Sequence, residues 1–162
     1  LNEPGLSAGH MTDYGAQTAV LICERASVTA GVRLPEESHT KEKSMNYNLV
    51  LHVDAGDTGR VAFALGNVRN YLKDVPANSG TKIVIVANGP AVRCFTKTPE
   101  NAQNELTAQT LMKAGLSIRL CRNALKGFGV SEDMLWDGIE TVSGGITELC
   151  RLQQEGYSYI KP

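Results

Sequence analysis

Four cysteines, at positions 23, 94, 121 and 150, are the most reactive side chains of this 162-residue chain, and their spacing limits what they can do. None forms a C-x-x-C pair or a zinc-ligand spacing, so neither a dithiol redox centre nor a metal site is expected. Cys121 is the strongest candidate. It closes Leu116-Ser117-Ile118-Arg119-Leu120-Cys121, which reads as a strand, and Asn123–Lys126 reads as a short helix after it. A thiol at a strand-to-helix junction lies near unpaired backbone N–H groups and the positive end of a helix dipole, both of which favour the thiolate. Arg119, Arg122 and Lys126 add positive potential if they point the same way. The competing reading is an inert buried cysteine filling a small apolar gap. Cys94, in Val92-Arg93-Cys94-Phe95, is either a second, relay thiol or a partly buried loop cysteine. Cys150 shares a helix face with Ile146 and Leu149, which predicts core packing.

Three further strand ends carry polar groups: His52-Val53-Asp54, Asn88-Gly89-Pro90 and Ser143-Gly144-Gly145. In open α/β sheets, ligands bind beyond the carboxyl ends of the strands. His52, Arg93, Arg122 and the backbone amides of these turns could together hold a small anion. His52 alone reads as a proton shuttle, an anion contact or a hydrogen-bonded core histidine. No other histidine follows Met45, so a His-rich metal site is not expected there. Ser143-Gly144-Gly145 is a helix cap first and an anion nest second. Asp54–Gly59 lacks the dinucleotide and P-loop glycine patterns, and its two carboxylates oppose anions, so it reads as turn chemistry. No G-x-S-x-G elbow supports a hydrolase. The expected site needs no metal and no organic cofactor.

The elements that must position these residues alternate between strand and helix. Asn48–Val53 and Ile83–Ala87 are nearly unbroken apolar runs of strand length, suited to a sheet covered on both faces. Between them, Asp57 or Thr58 caps a helix in which Val61, Leu65, Val68 and Leu72 recur at helical spacing. Thr98-Pro99 opens a second helix with Pro at its first position and a stripe of Leu106, Leu111 and Met112, ended by Gly115. After Cys121 come a turn around Gly127 and Gly129, a brief strand at Ile139–Val142, a helix from Ser143-Gly144-Gly145 and a last strand at Tyr157–Ile160. Repeated units of this kind imply an open α/β sheet with helices on both sides.

Composition agrees with an ordinary folded domain: 42% of residues are hydrophobic and 20% charged. The net charge of −1 offers no basic field for nucleic acid. No apolar run approaches the roughly 20 residues of a membrane span. The chain divides near Met45. Residues 1–44 hold one apolar run, Ala19–Cys23, and Thr18–Glu24 could pair as a short strand, but no basic start makes it a secretory signal. Two readings of this segment stay open. One is a flexible native extension. The other is translated upstream sequence, because Lys41-Glu42 can be encoded by a purine-rich ribosome-binding tract just ahead of Met45. The N-terminus of the natively expressed protein separates them.

Several segments together resemble a known family. They are Leu51-His52-Val53-Asp54, Asn67-Val68-Arg69-Asn70, Asn88-Gly89-Pro90-Ala91-Val92-Arg93, Leu120-Cys121-Arg122-Asn123-Ala124-Leu125, and the tail from Ser143 to Pro162. In order over residues 46–162, they are similar to the DsrE/DsrF-like family, which has the YchN-like fold. The resemblance implies a three-layer α/β/α sandwich with a mostly parallel sheet of about five strands, assembled as a homotrimer or homohexamer. Sulfur-relay members carry a persulfide at the position matched by Cys121. Asn123 also matches that subgroup, whereas His52 and Asn88 fall in matched segments without an assigned role. The implied function is a cytoplasmic sulfur carrier or sulfurtransferase, with proteins or small thiols as sulfur donor and acceptor. Phe128 between Gly127 and Gly129, and the absence of a clean Arg-Gly pair after the cysteine, depart from the sulfur carriers. An anion-binding regulatory module and a structural oligomer are the alternatives.

Overall fold

The computed structural model describes residues 45–162; the strand expected at Thr18–Glu24, with Cys23, lies outside the described residues. The centre of the sheet is β1 (Leu49–Val53) and β2 (Ile83–Ala87), and every residue of both is buried. Alternate residues of a strand face opposite sides, so runs that are apolar at nearly every position must be covered twice. β3 (Leu116–Cys121) pairs with β2, β4 (Glu140–Val142) with β3, and β5 (Ser158–Ile160) with the free side of β1. The order is β4-β3-β2-β1-β5, and every pairing is parallel.

Two layers of helix cover the sheet. On one face, α1 (Thr58–Asp74) and α2 (Ala102–Lys113) pack Val61, Leu65, Ala108 and Leu111 against Leu51, Val53, Ile85 and Ile118. The short α3 (Arg122–Phe128) adds Leu125 to the same core. On the other face, α4 (Gly145–Gln154) sets Leu149 and Leu152 on Val50, Val84 and Val86. The Asp57 carboxylate caps α1 by accepting from the Gly59 N–H at 2.8 Å, and Gly115, at φ +103, ends the second helix.

Three local expectations are corrected. Leu106 is 64% exposed, because the inward stripe of α2 runs through Asn104, Ala108 and Leu111. Asn104 Nδ2 donates to the Thr58 carbonyl, and Leu106 falls on the opposite side of the helix. Pro99 opens a 3₁₀ turn, Pro99–Asn101, and the α-helix begins only at Ala102. The segment after β2 is itself a 3₁₀ helix, Gly89–Phe95, which carries Ala91, Val92, Cys94 and Phe95 into the core. Phe95 meets the Trp136 ring at 5.0 Å between centroids, and the Trp136 indole donates to the Thr96 carbonyl.

A further correction lies on α4. Its buried residues are Gly145, Glu148, Leu149 and Leu152, so Ile146 and Cys150 face solvent. A buried carboxylate shares the inward face with Leu149 and Leu152, and Ile146 and Cys150 are left outward. Glu148 accepts from Arg119 Nη1 at 2.5 Å and from Arg151 Nη2 at 2.7 Å, while Arg119 Nε donates to Glu140 at 3.0 Å. This network ties α4 to β3 and β4, and charges that leave water stay charged only with partners of this kind.

Candidate functional site

The carboxyl ends of three neighbouring strands meet the first turn of α4. Cys121 ends β3, and its register partner is Val142 on β4. It shares a sheet face with Ser117 and Arg119, the face that α4 covers, and is 7% exposed. Asn88 follows β2 and His52 lies near the end of β1 on that same face. Gly145 is the residue that lets them converge. A methyl group there would lie 2.9 Å from Asn88 Cβ and 3.2 Å from Cys121 Cβ, so the helix backbone touches both side chains directly. The N-cap of α4 is Gly144, in extended conformation and with no side-chain capping bond. Ser143, expected as a cap, is exposed one residue earlier, because close packing at Gly145 sets where the helix starts. The first-turn N–H groups, which have no side-chain cap, therefore lie beside the Cys121–Asn88 end of the sheet.

A chain of side-chain hydrogen bonds leads away from this point. His52 Nε2 is 3.0 Å from Asn88 Oδ1, and His52 Nδ1 is 2.8 Å from the Tyr159 hydroxyl. Tyr159 reaches it because β5 pairs Tyr159 with Val50, two residues from His52 on the same face. A cavity of about 130 Å³ opens beside His52, walled by Asp54, Arg60 and Lys161. Its cations are engaged: Lys161 pairs with Asp54 at 2.6 Å, and Arg60 donates to the Pro162 carbonyl at 3.1 Å.

The arginines do not gather at the thiol. Arg119 is held by Glu140 and Glu148. Arg122 donates to the Thr141 carbonyl and leans toward Glu132 at 4.0 Å. Arg93 lies over the Phe128 ring, 5.0 Å from its centroid. Phe128, the departure from the sulfur carriers, thus occupies the cation that the sequence offered to an anion. Asn123 is exposed in the first turn of α3. Cys94 is buried, and burial, reinforced by the negative charges of Asp57 and Glu100, pushes its thiol up from the ordinary cysteine range.

The model of the DsrE/DsrF-like family matches residues 45–162, the whole of the described domain. The chain belongs to this family. Among solved structures, the DsrE-like domain is similar to MTH1491 from Methanobacterium thermoautotrophicum, a protein of unknown function. That pair has 31% identity and a TM-score of 0.65, covering 72% of this chain and all of that one. It also shares its fold with the ychN protein of E. coli, at 18% identity and a TM-score of 0.55, covering 72% of this chain and 99% of that one. BT1422 from Bacteroides thetaiotaomicron, of unknown function, is 18% identical with a TM-score of 0.50, covering 71% and 94%. No curated protein matches. These likenesses bear out the α/β fold with its five-stranded parallel sheet.

Within this DsrE-like domain, the structure brings together Cys121, Asn88, His52 and Gly144, and leaves Arg93, Arg122, Asn123 and Ser143 directed elsewhere or exposed. Gly89 serves the same corner as a backbone device. At φ +55, with the Asp54 carbonyl 3.3 Å from a would-be Cβ, it turns the chain sharply behind Asn88. Gly145 and Tyr159 were missed as site residues. Gly145 had a signal, a second glycine where one suffices for a helix start; Tyr159 had none before the register of β5 was known.

Proposed function

We propose that this DsrE-like protein carries sulfane sulfur as a persulfide on Cys121 and passes it to an acceptor thiol. The supporting observation is the seat of Cys121, packed against Gly145 at the uncapped N-terminus of α4. Anionic sulfur is favoured where backbone N–H groups lack partners. In loading, the Cys121 thiolate attacks the outer sulfur of a donor persulfide R–S–S–H. A Cys121–S bond forms, the donor S–S bond breaks, and R–S⁻ leaves with the electron pair. In release, the acceptor thiolate attacks the outer sulfur of Cys121–S–S–H, and the Cys121 thiolate is regenerated. Each step exchanges one S–S bond for another, so no outside oxidant or reductant is consumed.

The other described thiols fit this role less well. Cys94 is buried and its thiol is pushed toward the neutral form, and Cys150 stands exposed on the far side of α4 with no helix end beside it. An anion-binding reading loses its main cations, since Arg93 stacks on Phe128 and Arg122 turns to Thr141 and Glu132. The test is incubation of the full chain with a persulfide donor, followed by intact mass. Wild-type protein gains one sulfur atom, and Cys121→Ser gains none. Loading that survives in Cys121→Ser and disappears in Cys94→Ser would assign the chemistry to the other thiol.

A further inference from the structure

The Tyr159–His52–Asn88 chain has a direction. As an acceptor, Asn88 Oδ1 requires the proton of its 3.0 Å contact to sit on His52 Nε2. In the Nε2–H tautomer Nδ1 is a lone-pair acceptor, which the Tyr159 hydroxyl satisfies by donating at 2.8 Å. With Asn88 Oδ1 toward His52, the Nε2–H tautomer satisfies both bonds. With its oxygen held by His52, Asn88 turns its –NH₂ away from the histidine. No hydrogen bond in the described residues uses those two N–H donors. The side chain that bears them flanks the same Gly145 backbone as Cys121, with Asn88 Cβ and Cγ at 2.9 and 3.6 Å and Cys121 Cβ at 3.2 Å from the would-be methyl.

We propose that Tyr159 and His52 are positioning residues that lock the Asn88 amide with its –NH₂ facing the sulfur of Cys121. There it donates to the anionic form, thiolate or persulfide, alongside the N–H groups of the first turn of α4. This rests on Cys121 being the reacting thiol, and it adds the group that recognises the sulfur anion and the chain that aims it. The arrangement explains why a buried histidine spends both ring nitrogens on side chains while the sheet around it is apolar. Fixing the donor before the anion forms removes the cost of turning it later.

Two readouts on the full chain test the proposal, and neither needs a sulfur donor. Long-range ¹H–¹⁵N correlation of the His52 ring, assigned against His52→Gln, should show the Nε2–H tautomer alone. Tyr159→Phe should turn it into a mixture of tautomers. The pH profile of iodoacetamide alkylation, followed on the Cys121 peptide, should move up by about one unit in Asn88→Ala, the size of one hydrogen bond to an anion. Tyr159→Phe should move it the same way by less. If Asn88→Ala does not fold, Asn88→Ser serves with the same expectation. An Nδ1–H tautomer would mean that the amide points its oxygen at Cys121, and it overturns the proposal. So does an alkylation profile unchanged by loss of the Asn88 amide. If Cys121 fails to load sulfur while both readouts behave as expected, the sulfur-carrier reading falls and the relay stands.

Discussion

Gly145→Ala is expected to destabilise the domain by about 1–3 kcal/mol, although alanine is the better helix former. The added methyl would lie 2.9 Å from Asn88 Cβ and 3.2 Å from Cys121 Cβ. Both are atoms fixed to sheet backbone, so neither can swing aside and the first turn of α4 must lift. The matched control is Gly66→Ala in α1, where nothing lies within 4 Å of the new atom. That change should gain about 0.5–1 kcal/mol, the usual advantage of alanine over glycine inside a helix. Thermal melts of the two variants should therefore shift in opposite directions. Gly145→Ala should also slow alkylation of Cys121, because the first turn of α4, which packs on Cys121, moves. A melt unchanged by Gly145→Ala would mean that the helix does not rest on these two side chains.

Glu148→Ala is expected to cost about 1–2 kcal/mol, because Arg119 and Arg151 lose a shared carboxylate but keep Glu140 and Glu155 as partners. The Glu148 side chain is 10% exposed and bridges Arg119 on β3 to Arg151 on its own helix. Hydrogen bonds from Arg151 first, and from Arg119 after it, hold this carboxyl below its ordinary value of 4.5, while burial works in the opposite direction. The unfolded chain takes up the proton first as acid is added. Stabilisation from Glu148 is therefore complete above about pH 4.5 and is withdrawn as pH falls through the lower folded-state value. Urea melts at pH 7 and in the acid limb should show the variant weakened most at neutrality, with the two proteins converging as pH drops. A constant difference at every pH would assign the loss to packing instead of charge.

Much of this fold is legible in the sequence, and the reasons differ by element. β1, β2 and β3 declare themselves because their apolar residues occupy both faces or one clean face of a strand. α1 is equally plain, with its Asp57 cap and a stripe repeating at helical spacing. α4 misleads, because its inward face includes a charged residue, Glu148, whose partner Arg119 lies on another element. Hydrophobic spacing alone therefore turns the helix toward Ile146 and Cys150. The 3₁₀ helix at Gly89–Phe95 hides for a different reason: seven residues with a proline near the start carry no α-helical period.

The site divides along the same line. Cys121 and Asn88 can be suspected from their positions at strand ends, a local property of the chain. The part played by Tyr159 depends on β5 crossing to pair with β1 in one register, which no local pattern records. The arginines show the converse. Arg93 and Arg122 lie close in sequence to the thiols, yet Phe128, Thr141 and Glu132 claim them in space.

The central claim is that Cys121 not only accepts sulfur but gives it up. The most direct measurement loads the full chain with ³⁵S-labelled sulfane sulfur from a persulfide donor, removes the donor, and adds a small acceptor thiol. The account predicts that the label is held by wild-type protein, is absent from Cys121→Ser, and moves to the acceptor thiol as a persulfide. Label that never binds, or that binds equally well to Cys121→Ser, would contradict it.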